Sequence, residues 1–561
     1  MNEQKKSGSA ARDITDDFLL CNRCGSCRSV CPVYPVFREE FASARGKVEL
    51  AEAFFKGEEI NEGKLQDIFD LCLHCMTCEE NCPSGMRADE VVMTVRAEMA
   101  RRGLIPRLKR LALRALGGMD NALFKLMRAV GLARRVPLHG VGGKSPLRFL
   151  FPFLGWPVDR FVPLPAKKPF LSTAPEHSRA ADLEAVLPDP AAVTAGDIAI
   201  PNHYDRGKAI ELIERIITAR RRNLEAGRRA YFFVGHAVNH FFPEEAGTVM
   251  RVLKLLGIDV LAPKDQICCG APVYFAGDIE GARRVAAAAL DRFASHRYDL
   301  VVTSCSSGGH MLKSVFPRLF DLNADGYFEI EWDTESESFR RAPSSGKVQN
   351  EYPRAADLYR EHIEGKVFDI NELLAAQLGL EMKVMDLTGV FKSLDEGADH
   401  PVSQNAGSRP EPGNVEDTMF EEVAPRHVTP IVTYHYPCHL NRGQGVGWQP
   451  EAILGILPGY RYVRMEDADR CCGGGGSFTF LHPDAAEEIA RRKIDAIDNV
   501  RADVVATACP VCRIQLMDML HRRFAAHAKH RGERPVFIPV MTPTELLLED
   551  LAPLLRPPIG D

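Results

Sequence analysis

Hydrophobic positions along this chain fall into two regimes. Beyond residue 228, short apolar runs alternate with longer stretches of helical period. Arg229–Val234 reads as a strand, Glu244–Leu256 as an amphipathic helix, and Ile258–Ala262 as a strand. An alanine-rich helix, Ile279–Phe293, and a strand, Asp299–Thr303, follow. The same order returns as Ile431–Tyr434, a helix near Glu451, Arg461–Met465, Asp484–Ala496 and Asp503–Thr507. Strands alternating with helices predict α/β layers around a mainly parallel sheet. Before residue 101 the pattern is helical. Val48, Ala51 and Phe55 share one face, with Leu50 and Phe54 beside it, and a second helix spans Ala88–Arg101. The expected class is α+β and multidomain: a helical N-terminal domain, then a tandem pair of α/β domains.

The tandem reading rests on near-constant offsets, the mark of an internal repeat. Cys268-Cys269-Gly270 recurs as Cys471-Cys472-Gly473 at an offset of 203, and Cys305 recurs as Cys509 at 204. His236 stands where Cys438 stands, at 202. Asn371-Glu372-Leu373-Leu374 then recurs as Thr544-Glu545-Leu546-Leu547 at 173. The first copy therefore carries about thirty extra residues, placed in the acidic stretch Asp325 to Tyr352. The expected units are a polar tail at 1–17, a helical two-cluster domain at 18–100, and a basic helical and extended connector at 101–228. A degenerate first repeat at 229–393, a polar linker at 394–427 and a complete second repeat at 428–561 complete the division.

Composition sharpens this. All 16 cysteines fall into clusters, which argues against disulfides and for a reducing, cytoplasmic compartment. Residues 101–168 hold 15 Lys and Arg against Asp120 and Asp159. That net of +13 leaves −19 for the rest of a chain whose total is −6. The basic segment, with Arg107, Arg110 and Arg114, reads either as a linker packed on the acidic remainder or as a docking face for a partner or an anionic membrane. No apolar leader and no apolar run of about 18 residues is read, so neither a signal peptide nor a transmembrane helix is expected. Nothing points to nucleic acid.

The cysteines carry the chemistry. Cys21, Cys24, Cys27 and Cys31-Pro32 form one C-x2-C-x2-C-x3-C-P run, and Cys72, Cys75, Cys78 and Cys82-Pro83 form another. In bacterial two-cluster ferredoxins the fourth cysteine of such a run ligates the other cluster. One 4Fe–4S cubane is therefore assigned to Cys21, Cys24, Cys27 and Cys82, and the second to Cys72, Cys75, Cys78 and Cys31. Near the C-terminus, Cys438, Cys471, Cys472, Cys509 and Cys512 form a C-x32-C-C-G-x35-C-x2-C array. Thiolates are soft ligands that suit iron–sulfur clusters or zinc. Adjacent Cys471 and Cys472 suit a cluster with more than one metal better than one tetrahedral zinc. Gly473 removes a Cβ where backbone would run close to sulfide. The run Gly473–Gly476 lacks the Lys-Ser/Thr of a phosphate loop and is read as cluster packing. The first repeat keeps Cys268, Cys269 and Cys305, with His236 for Cys438 and Gly308 for Cys512. Those four could hold a cluster or a zinc, or be a decayed, structural site. His310 is a weaker candidate, and His439 could donate to cluster sulfur or simply face solvent.

With these residues in view, the chain resembles the CCG-domain iron–sulfur oxidoreductases. That group includes the B-type and D-type proteins of heterodisulfide reductase. It also includes the iron–sulfur subunits of glycolate oxidase, lactate utilisation and anaerobic glycerol-3-phosphate dehydrogenase. The N-terminal module resembles the helical ferredoxin of fumarate reductase iron–sulfur subunits. The order of two cubanes followed by two CCG repeats is similar to heterodisulfide reductase D-type proteins. The resemblance implies a noncubane 4Fe–4S cluster at Cys438, Cys471, Cys472, Cys509 and Cys512. It implies an electron-transfer subunit passing electrons between a flavoprotein dehydrogenase or electron-transfer flavoprotein and a quinone, a membrane cytochrome or another acceptor. No G-x-G-x-x-G follows a strand, so the hydride chemistry is expected in the partner. The alternatives are a thiol/disulfide reductase acting at the C-terminal cluster and a redox or metal sensor. The subunit would sit at the inner face of the membrane only through a partner.

Overall fold

In the computed structural model, the structure describes residues 14–104, 165–166, 168–183, 187, 200–320, 330–341, 351–382, 429–475, 478–531 and 537–555. The basic segment carrying Arg107, Arg110 and Arg114 and the linker 394–427 lie outside them.

The N-terminal domain is helical. Ser43 Oγ accepts from Gly46 N to start the helix Ala44–Lys56, and Gly57, in the left-handed region, ends it. Asn61 caps the helix Glu62–Asp70 in the same way. Their inner faces meet the helix Ala88–Arg101 around Ala51, Phe54, Phe69, Val91 and Val95. Phe54, not Phe55, is the buried aromatic with Val48 and Ala51; Phe55 is half-buried at the rim. At 3.6 residues per turn Phe54 lies three beyond Ala51, and the inward stripe follows that i,i+3 step. The domain also begins earlier than residue 18. A helix spans Ile14–Leu20, and buried Asp17 accepts from both the backbone and the side chain of Arg87 at 2.9 Å.

The first strand, β1 (His177–Ser178), precedes the first repeat. That repeat contributes β2 (Arg229–Phe232), β3 (Asp259–Leu261), β4 (Leu300–Thr303), a hairpin β5 (Ile330–Asp333) and β6 (Ser338–Arg341), and β7 (Val367–Asp369). The second contributes β8 (Ile431–His435), β9 (Arg461–Tyr462), β10 (Val504–Thr507) and β11 (Val540–Met541). One sheet runs β1-β3-β2-β4-β7 and the other β11-β10-β8-β9. Only β1 pairs antiparallel within them; the central order of the two sheets is the same. One apolar core joins both, with Phe232, Leu253 and Val302 from the first repeat and Tyr434, Leu454 and Val505 from the second.

Two elements tie the molecule together beyond the sequence pattern. A helix, Arg206–Ala226, capped by Asp205 and Gly227, straddles both repeats from within the connector. Its Lys208 Nζ reaches the Gly455 carbonyl at 2.9 Å, and its Asn223 amide reaches the Leu256 carbonyl at 2.8 Å. The β5–β6 hairpin lies in the extra segment of repeat one. It packs on the N-terminal domain through Phe339, stacked on Phe18 with ring centroids 4.3 Å apart. No helix among the described residues is long and apolar enough to cross a membrane.

Candidate metal centres

The five C-terminal cysteines converge at the carboxyl edge of the second sheet, where open α/β sheets place their ligands. β8 ends at His435, and Cys438 opens the helix Cys438–Gln444. β10 ends at Thr507, and Cys509 immediately precedes the helix Pro510–Arg531, whose first turn carries Cys512. Cys471 and Cys472 arrive from the loop after β9. Cys471 is hydrogen-bonded with Cys438, and Cys472 with both Cys471 and Cys512. The bond from Cys512 draws the Cys509 thiol down to about 7. Four of the five are buried, and Cys438 is half-buried.

The glycines after the cysteine pair are constrained by protein as well as sulfur. Gly473 has φ +81°, and a Cβ there would fall 2.6 Å from the Ala486 carbonyl, so the packed helix by itself requires glycine at this position. Gly474 is the one beside sulfur: a Cβ there would stand 3.4 Å from Cys472 Sγ. Gly473 N donates to Cys471 Sγ at 3.4 Å.

In the N-terminal domain, Cys21, Cys24, Cys27, Cys78 and Cys82 line one cavity. Cys75 and Cys78 lie in the electrostatic reach of Cys31 and Cys72. Thr77 Oγ1 donates to Cys75 Sγ at 3.3 Å, and Met86 N to Cys82 Sγ at 3.4 Å. Cys75 is also hydrogen-bonded with Cys471, so the second run touches the C-terminal array directly.

In repeat one, Cys268, Cys269 and Cys305 are buried and His236 half-buried. Cys268 and Cys269 share a hydrogen bond, and Cys269 lies near His236. Cys305 faces Cys509 across the boundary between the repeats. The helix Ser306–His310 packs there on the helix Cys438–Gln444, with His310 Nδ1 3.2 Å from the Gly443 carbonyl. His439 is not a solvent-facing residue. Its ring stacks between Phe275 and His310, at 5.1 Å from each, with Nδ1 2.9 Å from Ser307 Oγ and Nε2 3.1 Å from the His74 carbonyl.

The surroundings of the two N-terminal sets and of the C-terminal set suit anionic thiolate-held groups, because each has a cation beside it. Arg45 lies near Cys21 and Cys27. Lys47, 3% exposed, lies near Cys31, Cys72 and Cys78, with Nζ on the Ala42 carbonyl at 2.7 Å. Arg96 binds the Phe69 and Cys72 carbonyls at 2.7 and 3.1 Å. Lys493, 1% exposed, lies near Cys471 and Cys472; burial pulls its ammonium down to about 8. Burying a cation is costly without a counter-charge, and thiolates supply one. Sequence reasoning passed over Lys47, Arg96, Lys493 and His435. The available signal was a charge on the apolar face of a helix: Lys493 shares its face with Ile489, Ala490 and Ile497.

Comparison with known proteins agrees with this layout. Residues 230–313 and 432–517 match the cysteine-rich domain family CCG, and residues 17–86 match the 4Fe-4S dicluster domain family. The probable glycolate oxidase iron–sulfur subunit of Bacillus subtilis is 23% identical over 89% of this chain and 88% of its own length. The B component of the fumarate reductase (CoM/CoB) of Methanothermobacter marburgensis is 26% identical over 53% of this chain, a match that spans 43% of that relative. The D component of the dihydromethanophenazine:CoB–CoM heterodisulfide reductase of Methanosarcina acetivorans is 44% identical over 91 residues, 16% of this chain and 22% of its own. With a dicluster domain, two CCG domains in tandem and relatives of this kind, the chain belongs to the CCG-domain iron–sulfur oxidoreductase family.

Proposed function

We propose that this chain is the electron-transferring subunit of a multi-subunit oxidoreductase, working between a flavoprotein dehydrogenase and a quinone, cytochrome or other acceptor. The observation that carries this reading is the meeting of Cys75 with Cys471, which joins the N-terminal and C-terminal cysteine sets. Cys21, Cys24, Cys27 and Cys82 would hold one 4Fe–4S cubane, and Cys72, Cys75, Cys78 and Cys31 the other. Cys438, Cys471, Cys472, Cys509 and Cys512 would hold a noncubane 4Fe–4S cluster. Bound there, such groups supply one-electron redox centres whose potentials respond to charge, burial and hydrogen bonds to sulfur.

The chain's own residues set those conditions. Lys47, Arg96 and Lys493 balance thiolate charge inside the protein. Thr77 and the amides of Met86 and Gly473 donate to sulfur. Leu73, Phe478, Ala486 and Ile489 pack around Cys75 and Cys471 and keep water out. At the other end Cys24 is exposed beside Arg23, which gives a redox partner an approach to the first set. A reductase acting on a thiol/disulfide substrate is the second reading, favoured by the 91-residue likeness to a heterodisulfide reductase component. The burial of Cys471, Cys472, Cys509 and Cys512 supports the relay instead. No disulfide joins any of the sixteen cysteines, in keeping with a cytoplasmic subunit that meets a membrane only through its partner.

The test is an anaerobic redox titration followed by EPR. Three separable centres are expected, and Cys471→Ser should abolish partner-dependent turnover while both cubane signals remain. Stoichiometric zinc with little iron would overturn the reading.

A further inference from the structure

His435 closes β8 three residues before Cys438, and its side chain is 1% exposed. One of its ring nitrogens lies within 4.8 Å of both Cys472 Sγ and Cys512 Sγ, which are equally close to each other. Its Nδ1 is buried and has no hydrogen-bond partner among the described residues. A buried ring nitrogen left without a partner is costly. A metal held by the neighbouring thiols would give that nitrogen one, since imidazole is a common metal ligand.

The two repeats compare this position directly. At the offset of 202 that aligns His236 with Cys438, His435 aligns with Phe233. In repeat one the Phe233 ring fills the space beside Gly308, 3.6 Å from where a Cβ would stand, and Gly308 takes the place of Cys512. One location thus holds imidazole and thiol in the complete repeat, and phenyl and hydrogen in the other. A purely structural histidine would have no reason to go with the full thiol set.

We propose that His435 Nδ1 is a sixth protein ligand of the C-terminal centre, binding iron on the side of Cys472 and Cys512. This rests on the reading of that centre as an iron–sulfur cluster.

The test is pulsed EPR on the full chain, grown with 15N-histidine or unlabelled and purified without air. The C-terminal signal is the one that Cys472→Ser removes. A nitrogen coupling on that signal that changes with the isotope is expected in wild type. It should persist in His439→Asn and vanish in His435→Phe, the first-repeat residue, with the cubane signals as the folding reference. Should His435→Phe lose the C-terminal signal altogether, His435→Gln takes its place: loss of the isotope-sensitive coupling there assigns the ligand to His435, and its survival overturns the proposal. A C-terminal signal with no isotope-sensitive coupling would overturn the sixth ligand and leave the five-cysteine reading intact. A coupling that survives in His435→Phe, or is lost in His439→Asn, would overturn it too. Absence of any C-terminal signal in wild type would overturn both.

Discussion

Arg442 Nε lies 2.6 Å from Glu80 Oε2, which pins the helix that opens at Cys438 to the short helix carrying Cys78. The same guanidinium binds Asp469 at 2.8 Å and is 4% exposed. One buried cation therefore fixes the register between the two cysteine sets that meet at Cys75 and Cys471. Both carboxylates are nearly half exposed, so solvent screens part of the loss when the cation is removed. Arg442→Ala should cost about 2 kcal/mol, less than for a fully buried pair. Glu80→Gln should cost less than Arg442→Ala, because Asp469 remains. Thermal unfolding of both variants without air checks the order, and equal effects would show that Glu80 alone carries the contact.

The hairpin gives a second prediction. Phe339, 8% exposed, touches Phe18, Phe55 and Trp332. Phe339→Ala removes the aromatic that joins the insert of repeat one to the N-terminal domain, at a cost of about 3 kcal/mol. Hydrogen exchange should rise first in Ile14–Leu20 and Ala44–Lys56, with the CCG sheets unchanged. Uniform loosening of the whole chain would show that the hairpin is not a local clasp.

A third concerns acid. His310 is buried at the boundary between the repeats; burial, then the His439 ring and Arg318, pull its pKa down to about 3. An unfolded histidine takes its proton near 6.5. Between those values the unfolded chain binds more protons, so this residue's contribution is intact above about 6.5 and falls as pH drops towards 3. The slope is at most about 1.4 kcal/mol per pH unit. His310→Gln should therefore lose less stability than wild type between pH 7.5 and 5.5 in thermal melts. Parallel curves would place the acid sensitivity elsewhere.

Much of this is legible in the sequence because it is local or periodic. The cysteine spacings, the double-cysteine offsets and the strand–helix alternation need only the chain's own order, and the sheets follow it in both repeats. What stays hidden depends on contacts across hundreds of residues. Phe339 meets Phe18, and the helix Arg206–Ala226 finds Gln377 on one side and Gly455 on the other. His435 hides in a strand of β-branched and aromatic neighbours, where a histidine reads as one more half-buried residue. Arg461–Met465 reads as a strand, but only Arg461–Tyr462 pairs, because the chain turns away towards Cys471. At Gly473 the need for glycine is legible from the cysteine pair before it, but the Ala486 carbonyl that crowds it, on a helix thirteen residues on, is not.

Cofactor content follows from the assigned ligand sets. Protein purified without air should be brown and hold about twelve irons per chain, four for each 4Fe–4S group. Cys471→Ser or Cys472→Ser should lower that by about four, leaving the two cubane sets. Cys268→Ser should act mainly on stability, because Cys268 packs in the core of repeat one with Val273 and Phe293. If Cys268→Ser removed as much iron as Cys471→Ser, the two repeats would be equivalent metal sites and their asymmetry would be only sequence-deep.

Relay and reductase differ in what must reach the metal. A relay centre can stay fully enclosed, whereas a centre that cleaves a disulfide must let substrate sulfur approach and must keep an exchangeable position. Cys471, Cys472, Cys509 and Cys512 are between 1% and 7% exposed. Leu73 presses on Gly475, which leaves no room there for a Cβ. If His435 also binds, it occupies the inner side of the same centre. Repeat one, with Gly308 for Cys512 and Phe233 for His435, does not offer a second matching centre with which to grip a disulfide from two sides. The isolated chain, reduced by viologen without air, should therefore reduce artificial dyes and leave a panel of low-molecular-weight disulfides untouched. Physiological turnover should appear only when the flavoprotein partner is added. Disulfide turnover by the chain alone, lost in Cys471→Ser, would overturn the relay and make this centre a reductase.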